Sequence, residues 1–158
     1  MKIPSPFSLI ALLAFAGGAI CSAQSPSPAS GSSGGSNAPY TEGTVSEITF
    51  VRSKPGMSDD YLKNLAKNYR GVMDEAKTQN AIVSYRMFLG DAANRDDFDI
   101  MLMVEYKNMA ALDGLRDKMD PITLKSFGGE DQQRQASVKR GEIRDILGTK
   151  TMREITLK

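Results

Sequence analysis

Phe98-Asp99-Ile100-Met101-Leu102-Met103-Val104-Glu105-Tyr106 decides the fold, because its apolar residues fall with a period of two. That period belongs to an extended strand, whose successive side chains point to opposite faces. Phe98, Ile100, Leu102, Val104 and Tyr106 therefore share one face, and Met101 and Met103 share the other. The stretch before it, Ala81-Ile82-Val83-Ser84-Tyr85-Arg86-Met87-Phe88-Leu89, reads the same way, with Val83, Tyr85, Met87 and Leu89 on one side and Ile82 and Phe88 on the other. The polar stretch from Gly90 to Asp97 joins the two as a hairpin loop. Neither face of this pair is made for water. Helices of the same chain can cover one face of an antiparallel sheet, and a second apolar face is covered most economically by the sheet of a second copy. A homodimer through sheet faces is expected.

Upstream, Val45 to Arg52 is rich in β-branched and aromatic residues and ends at the turn signal Ser53-Lys54-Pro55-Gly56, so it is the first strand. Ser58 is read as the cap of a helix running to about Lys77, with Asp59 and Asp60 in its first turn. Its apolar positions Tyr61, Leu62, Leu65, Ala66, Tyr69, Val72, Met73 and Ala76 form one stripe at spacings of three and four. Downstream, Asn108 caps a helix carrying Met109, Leu112, Leu115 and Met119, which Pro121 is expected to stop. After Phe127-Gly128-Gly129, a further helix is expected from Glu130 to Leu147, ended by Gly148, with Thr149 to Leu157 as the last strand. The order is βαββα, an extra helix, then β. This is an α+β, ferredoxin-like βαββαβ plan with an antiparallel sheet.

Composition narrows the chemistry. The chain has 158 residues, 41% of them apolar, with 20 Lys and Arg against 19 Asp and Glu, one Cys and no His. Without histidine there is no Ser-His-Asp or Cys-His catalysis and no histidine-ligated haem or zinc. A lone cysteine forms no internal disulfide. The charge balance argues against a nucleic-acid partner. The chain also contains no P-loop, dinucleotide fingerprint or N-glycosylation sequon.

Residues 1–23 read as a secretory signal peptide: Lys2, an apolar run from Phe7 to Ile20, then Cys21-Ser22-Ala23, with cleavage near Ala23 and a periplasmic or secreted product. The apolar run is too short and too interrupted by Gly17-Gly18 for a transmembrane segment. The alternative is a lipoprotein acylated at Cys21. Cleavage after Ala23 removes Cys21 and Lys2, leaving 19 basic and 19 acidic groups. Residues 24–43 read as a flexible linker, since 12 of the 16 residues from Gln24 to Pro39 are Ser, Gly or Pro. Within it Gly31-Ser32-Ser33-Gly34-Gly35 matches a serine-hydrolase pattern but lacks the flanking strand, the helix and the histidine that pattern requires. Residues 44–158 form one domain.

Lys54-Pro55-Gly56 before the first helix, Ile82-Val83-Ser84-Tyr85-Arg86 in the second strand, and the run from Phe98 through Glu105-Tyr106-Lys107-Asn108-Met109-Ala110-Ala111-Leu112 resemble the dimeric α+β barrel superfamily. That group includes the antibiotic-biosynthesis-monooxygenase-like and NIPSNAP-like domains. The similarity covers about Val45 to Met119, and the tail with Arg140, Arg144 and Arg153-Glu154 is similar to the ends of exported members. The resemblance implies a barrel built from two monomers, with a pocket in each between sheet and helices. The chain departs from the monooxygenase-like branch at three places. Asn80-Ala81 stands where that branch has glycine, Tyr106 where it has tryptophan, and Leu115 where haem-degrading members have histidine. No catalytic residue is carried over, and no cofactor is expected.

Tyr69, Tyr85, Arg86 and Tyr106 are the candidate ligand-binding residues. A phenol offers an apolar body with a hydroxyl, and an arginine in a strand needs a partner if buried. Their plain reading is core or interface packing, with Arg86 in a salt bridge or reaching to solvent. Met101 and Met103 suggest soft-metal ligation less than dimer packing. Asp91, Asp96, Asp97 and Asp99 lack the glycine and glutamate of a calcium loop and read as a solvated turn. Lys139, Arg140 and Arg144, interleaved with Glu142 and Asp145, read as an exposed helix face with local ion pairs. The function expected is binding of a small, partly apolar molecule, or a stable module without catalysis. The alternatives are a cofactor-independent monooxygenase or isomerase acting on an aromatic or quinone-like substrate, and a protein-interaction module.

Overall fold

The computed structural model describes residues 37–158. The expected signal peptide, the Cys21 alternative and residues 24–36 of the expected linker lie outside the described residues. Four strands, β1 (Tyr40–Ser53), β2 (Ser84–Leu89), β3 (Ile100–Tyr106) and β4 (Arg144–Leu157), form one antiparallel sheet in the order β2-β3-β1-β4. The helices are α1 (Ser58–Asn64), α2 (Arg70–Thr78), α3 (Leu115–Phe127) and α4 (Glu130–Ile143). This is the α+β, ferredoxin-like arrangement with an extra helix before the last strand. No helix among the described residues is long and apolar enough to cross a membrane.

The register fixes what each face carries. Val45, Val51, Ile100, Leu102 and Tyr106 point to the helices and are buried. They meet Val72, Met73 and Ala76 in one cluster and Tyr61 and Leu65 in another, with Tyr69 packed against both. On the opposite face, Phe88, Met101, Phe50 and Gly148 form a row across all four strands. The next row is Arg86, Met103, Ile48 and Lys150. Phe98 packs on Phe50 with ring centroids 4.8 Å apart. The alternation in strands two and three thus places their residues as expected, except Ile82 and Phe98. Ile82 precedes β2 and lies in the core with Val72 and Ala76. Phe98 precedes β3, which starts at Ile100, and turns to the uncovered face against Phe50 instead of sharing the face of Ile100.

Several expected boundaries are corrected. β1 begins at Tyr40, inside the stretch read as linker, because Tyr40 to Glu42 pair with Leu157 to Ile155 of β4, and Arg153 forms an ion pair with Glu42. Ser58 does not cap α1; it is the first helical residue, and Met57 before it supplies no side-chain cap. Asn108 does cap, its Oδ1 accepting from the Ala111 N–H at 3.0 Å, but the turn it caps is a short 3-10 segment, Met109–Leu112. The α-helix starts at Leu115, after Gly114 at φ 63°, and runs through Pro121. A proline there forfeits the bond to the Asp117 carbonyl. Burial of Ile122 and packing of Met119 and Phe127 hold the helix together past it. α4 ends at Ile143, earlier than Leu147, and Gly148 lies inside β4 beside a bulge, where the partner of Phe50 is Gly148 but that of Val51 is Ile146.

The first helix carries a further surprise. Leu65–Tyr69 is a π turn joining α1 to α2, with the Arg70 N–H bonded to the Leu65 carbonyl. The surplus residue rotates the later turns relative to the earlier ones by about 100°. Ala66, which the periodicity places on the buried stripe, is exposed.

Candidate functional site

Two depressions compete. The larger, an open groove of about 880 Å³, lies between the turn after β1 and the loop between β2 and β3. Four of its six charged groups, Arg52, Lys54, Asp99 and Asp145, are already engaged. Arg52 Nη1 donates to the carbonyls of Asn94 and Asp97 at 2.5 and 2.6 Å, and Lys54 Nζ donates to the Gly141 carbonyl at 2.9 Å. Asp99 accepts from the Ser53 N–H at 2.9 Å and from the Ser53 hydroxyl. The acidic loop is likewise tied internally, Asp97 accepting from the Ala93 N–H at 2.8 Å. Among the described residues no group of three or more metal-ligating side chains converges.

The smaller cavity, about 290 Å³, lies between the helix-covered face of the sheet and the helices. Thr49, Leu102 and Ile146 form its floor. Tyr61, Asn64, Leu65, Asn68, Tyr69 and Val72 come from the first helix around the π turn, and Thr123, Phe127, Arg140 and Arg144 close the other side. Three of its polar atoms are not engaged. The three buried side-chain atoms without a hydrogen-bond partner among the described residues are Asn64 Oδ1, Tyr69 Oη and Arg144 Nε, and all three line this cavity. Buried polar atoms are nearly always paired in folded proteins, and each exception costs about 1–3 kcal/mol. π turns recur at functional sites for the reason visible here, since they redirect side chains out of the helical stripe.

Arg144 and Arg140 escaped the sequence reading as a site. Arg144 is the first residue of β4 and lies over the Tyr61 ring at 5.4 Å, while Arg140 in α4 lies over Phe127 at 5.6 Å. The expected local ion pairs do not form: Asp145 pairs instead with Lys54 at 4.0 Å, and Arg140 donates to the Ser137 hydroxyl at 2.8 Å. Burial and the neighbouring Arg144 charge lower the Arg140 pKa. The available signal was a break in period. The helical pattern fails at Arg144, where alternating, β-branched sequence begins.

The four candidate residues divide between the faces. Tyr69 lines the cavity. Tyr106 is buried in the core on the same side of the sheet, paired with Val45 across the strands. Tyr85 shares that side, packs edge-on against Tyr69 with centroids 6.0 Å apart, and donates its hydroxyl to Asp74 at 2.7 Å. Arg86 is on the opposite face, beside a polar niche with Thr44, Ser84, Glu105 and Glu154. There the Ser84 hydroxyl donates to Glu105 at 2.5 Å, and the Ser84 and Thr44 hydroxyls with Arg86 hold that carboxyl below the usual range against its partial burial.

Burial raises the Tyr61, Tyr69, Tyr85 and Tyr106 phenols, that of Tyr106 to about 12 with help from Glu47. At neutral pH they are hydrogen-bond donors, not bases. A native pKa above the unfolded value of about 10 means the folded state holds its proton more tightly, so this contribution to stability is complete below pH 10 and is lost as pH rises through 12. Urea midpoints should hold steady up to about pH 10 and then fall. A flat midpoint from pH 10 to 12 would contradict the burial of these phenols.

No family model matches the chain, and no protein of curated function matches it in sequence. Among solved structures it is similar to HapK from Hahella chejuensis, with 6% identity, 70% of this chain and 91% of that one covered, and a TM-score of 0.48. It is also similar to a dimeric ferredoxin-like protein from an uncultured marine organism (13% identity, 74% and 97% covered, TM-score 0.45) and to a dimeric protein of unknown function and ferredoxin-like fold from Bacteroides fragilis (10%, 73% and 96%, 0.37). The assignment of fold rests on the strand order and register themselves.

Proposed function

We propose that the protein is an exported homodimer of the dimeric α+β barrel kind, akin to the monooxygenase-like and NIPSNAP-like domains, in which each protomer binds one small, partly apolar molecule between its sheet and helices. The observation that carries this reading is the gathering of Asn64 Oδ1, Tyr69 Oη and Arg144 Nε, all buried and unpaired, around one cavity with apolar walls. A cavity near the small end of ligand sites, about 300–1,000 Å³, suits a molecule of one or two rings. The raised phenols and the lack of histidine favour binding over acid–base chemistry. The dimer is supported by the uncovered face, where Phe88 and Met152 are 45% and 54% exposed beside the half-buried Ile48, Phe50, Met101 and Met103.

Native mass spectrometry of the protein purified from its own host tests this reading. The expected species is a dimer whose chains begin at Gln24 and carry one small-molecule adduct each. Thr123→Trp, which places an indole in the cavity, should remove the adduct and keep the dimer. A bare wild-type dimer, or an adduct indifferent to Thr123→Trp, would overturn the assignment of the cavity.

A further inference from the structure

Resting on the reading of this cavity as a ligand site, we infer that its ligand is a planar aromatic acid with a ring hydroxyl, its carboxylate received by Arg144 and Arg140. Two guanidinium groups line one cavity wall, and neither has a carboxylate partner among the described residues. Unpaired cations in a partly desolvated site are costly, and an anion relieves that cost more completely than any neutral group. Arg144 is prepared for this role. The Tyr61 ring supports its guanidinium from one side, and Nε is buried with its N–H unspent. Nε together with a terminal nitrogen presents the two parallel donors that a carboxylate accepts.

Two neighbouring acids are committed elsewhere, and Glu142, between the two arginines in sequence, forms no ion pair with either. Asp99, whose charge reaches Tyr61, is occupied by Ser53, and Asp145 pairs with Lys54. The remaining unpaired atoms define the rest of the molecule. Asn64 Oδ1 is an acceptor needing a donor, and Tyr69 Oη can give or take a hydrogen bond. A ring hydroxyl meets both needs. Leu65, Val72 and Leu102 with the Phe127 ring leave an apolar slot for the ring itself. The ligand thus carries a carboxylate, a ring hydroxyl and a flat apolar body.

The probes are 6-hydroxy-2-naphthoate and its neutral carboxamide, followed by calorimetry on the full mature chain. The acid should bind more tightly than the amide by roughly 10- to 100-fold, the worth of hydrogen bonds to a charged group. Arg144→Met should abolish that preference, Arg140→Met should reduce it, and Arg144→Lys should restore only part of it. Arg144→Met keeps an apolar stem over Tyr61 and removes an unpaired buried cation, so its melting temperature should equal or exceed that of the parent. Should it nevertheless fail to fold, Arg140→Met and Arg144→Lys carry the same comparison. Equal affinity for acid and amide overturns the inference and leaves the cavity a ligand site. Binding of neither probe also overturns it, and if the adduct sensitive to Thr123→Trp is absent as well, the reading beneath it falls too.

Discussion

Met101→Asp should turn the proposed dimer into a folded monomer. Met101 sits on β3 between Phe88 of β2 and Phe50 of β1, in the most apolar row of the uncovered face. A twofold axis relating two such faces brings every substitution in twice, so the change would bury two carboxylates with no cation provided for either. The cations of this face stand one row away, Arg86 in the niche with Glu105 and Glu154, Lys150 on β4, and Arg52 already bonded to the Asn94 and Asp97 carbonyls. Leaving charges buried and unpaired costs about 3–5 kcal/mol, a rise of roughly 100- to several-thousand-fold in the dimer's dissociation constant. The isolated protomer has little reason to object, because its Met101 lies on a face that its own helices do not cover, and surface changes of this kind usually stay within about 0.5 kcal/mol. Sedimentation equilibrium with a parallel thermal melt checks both halves. A variant that stays dimeric at the parent's affinity would refute packing through this face.

Tyr61→Ala should produce the largest loss of stability of any single change near the cavity. Tyr61 is 1% exposed and packs with Val51, Leu65, Ile100 and Leu102, so it joins α1 to both central strands. Removing a buried aromatic ring costs about 3–5 kcal/mol, part of it for the void left behind. Against a typical total of about 5–15 kcal/mol, that should lower the melting midpoint by roughly 10–25 °C. Tyr61→Phe keeps the ring and the platform for Arg144, and should cost less than about 1 kcal/mol. The pair separates packing from the hydroxyl: equal losses in both variants would show that the phenol oxygen, not the ring, carries the stability.

What could be read from residues alone followed from period. Ile100, Leu102, Val104 and Tyr106 alternate without interruption, and with β2 they determine register and which face the helices cover. The failures came where a local signal yields to packing. Pro121 is a helix breaker in isolation, but Ile122 beside it is buried, and that burial decides the matter. Gly148 looks like a helix stop and is instead the soft point of a bulged strand, which moved Arg144 from an exposed helix end to a cavity wall. The π turn has no signature in a periodic stripe, because Tyr61, Leu65, Val72 and Ala76 are spaced acceptably for a plain α-helix as well. The candidate site was therefore legible in part. Tyr69 stood out as a phenol on an apolar stripe, whereas the arginines looked like ordinary surface charge until the chain closed around them.

The pairing of Tyr40 with Leu157 at one end of the β1–β4 ladder has a mechanical consequence. The Lys158 N–H reaches the Pro39 carbonyl at 3.0 Å, so the incoming and outgoing ends of the domain lie side by side. Tension applied between them would load these hydrogen bonds one rung at a time, as a zipper opens, where opposed ends would have shared the load in shear. Held by both ends, the domain would yield at low force from this corner inward, and its first-opened rungs would be those farthest from Arg144 and the cavity.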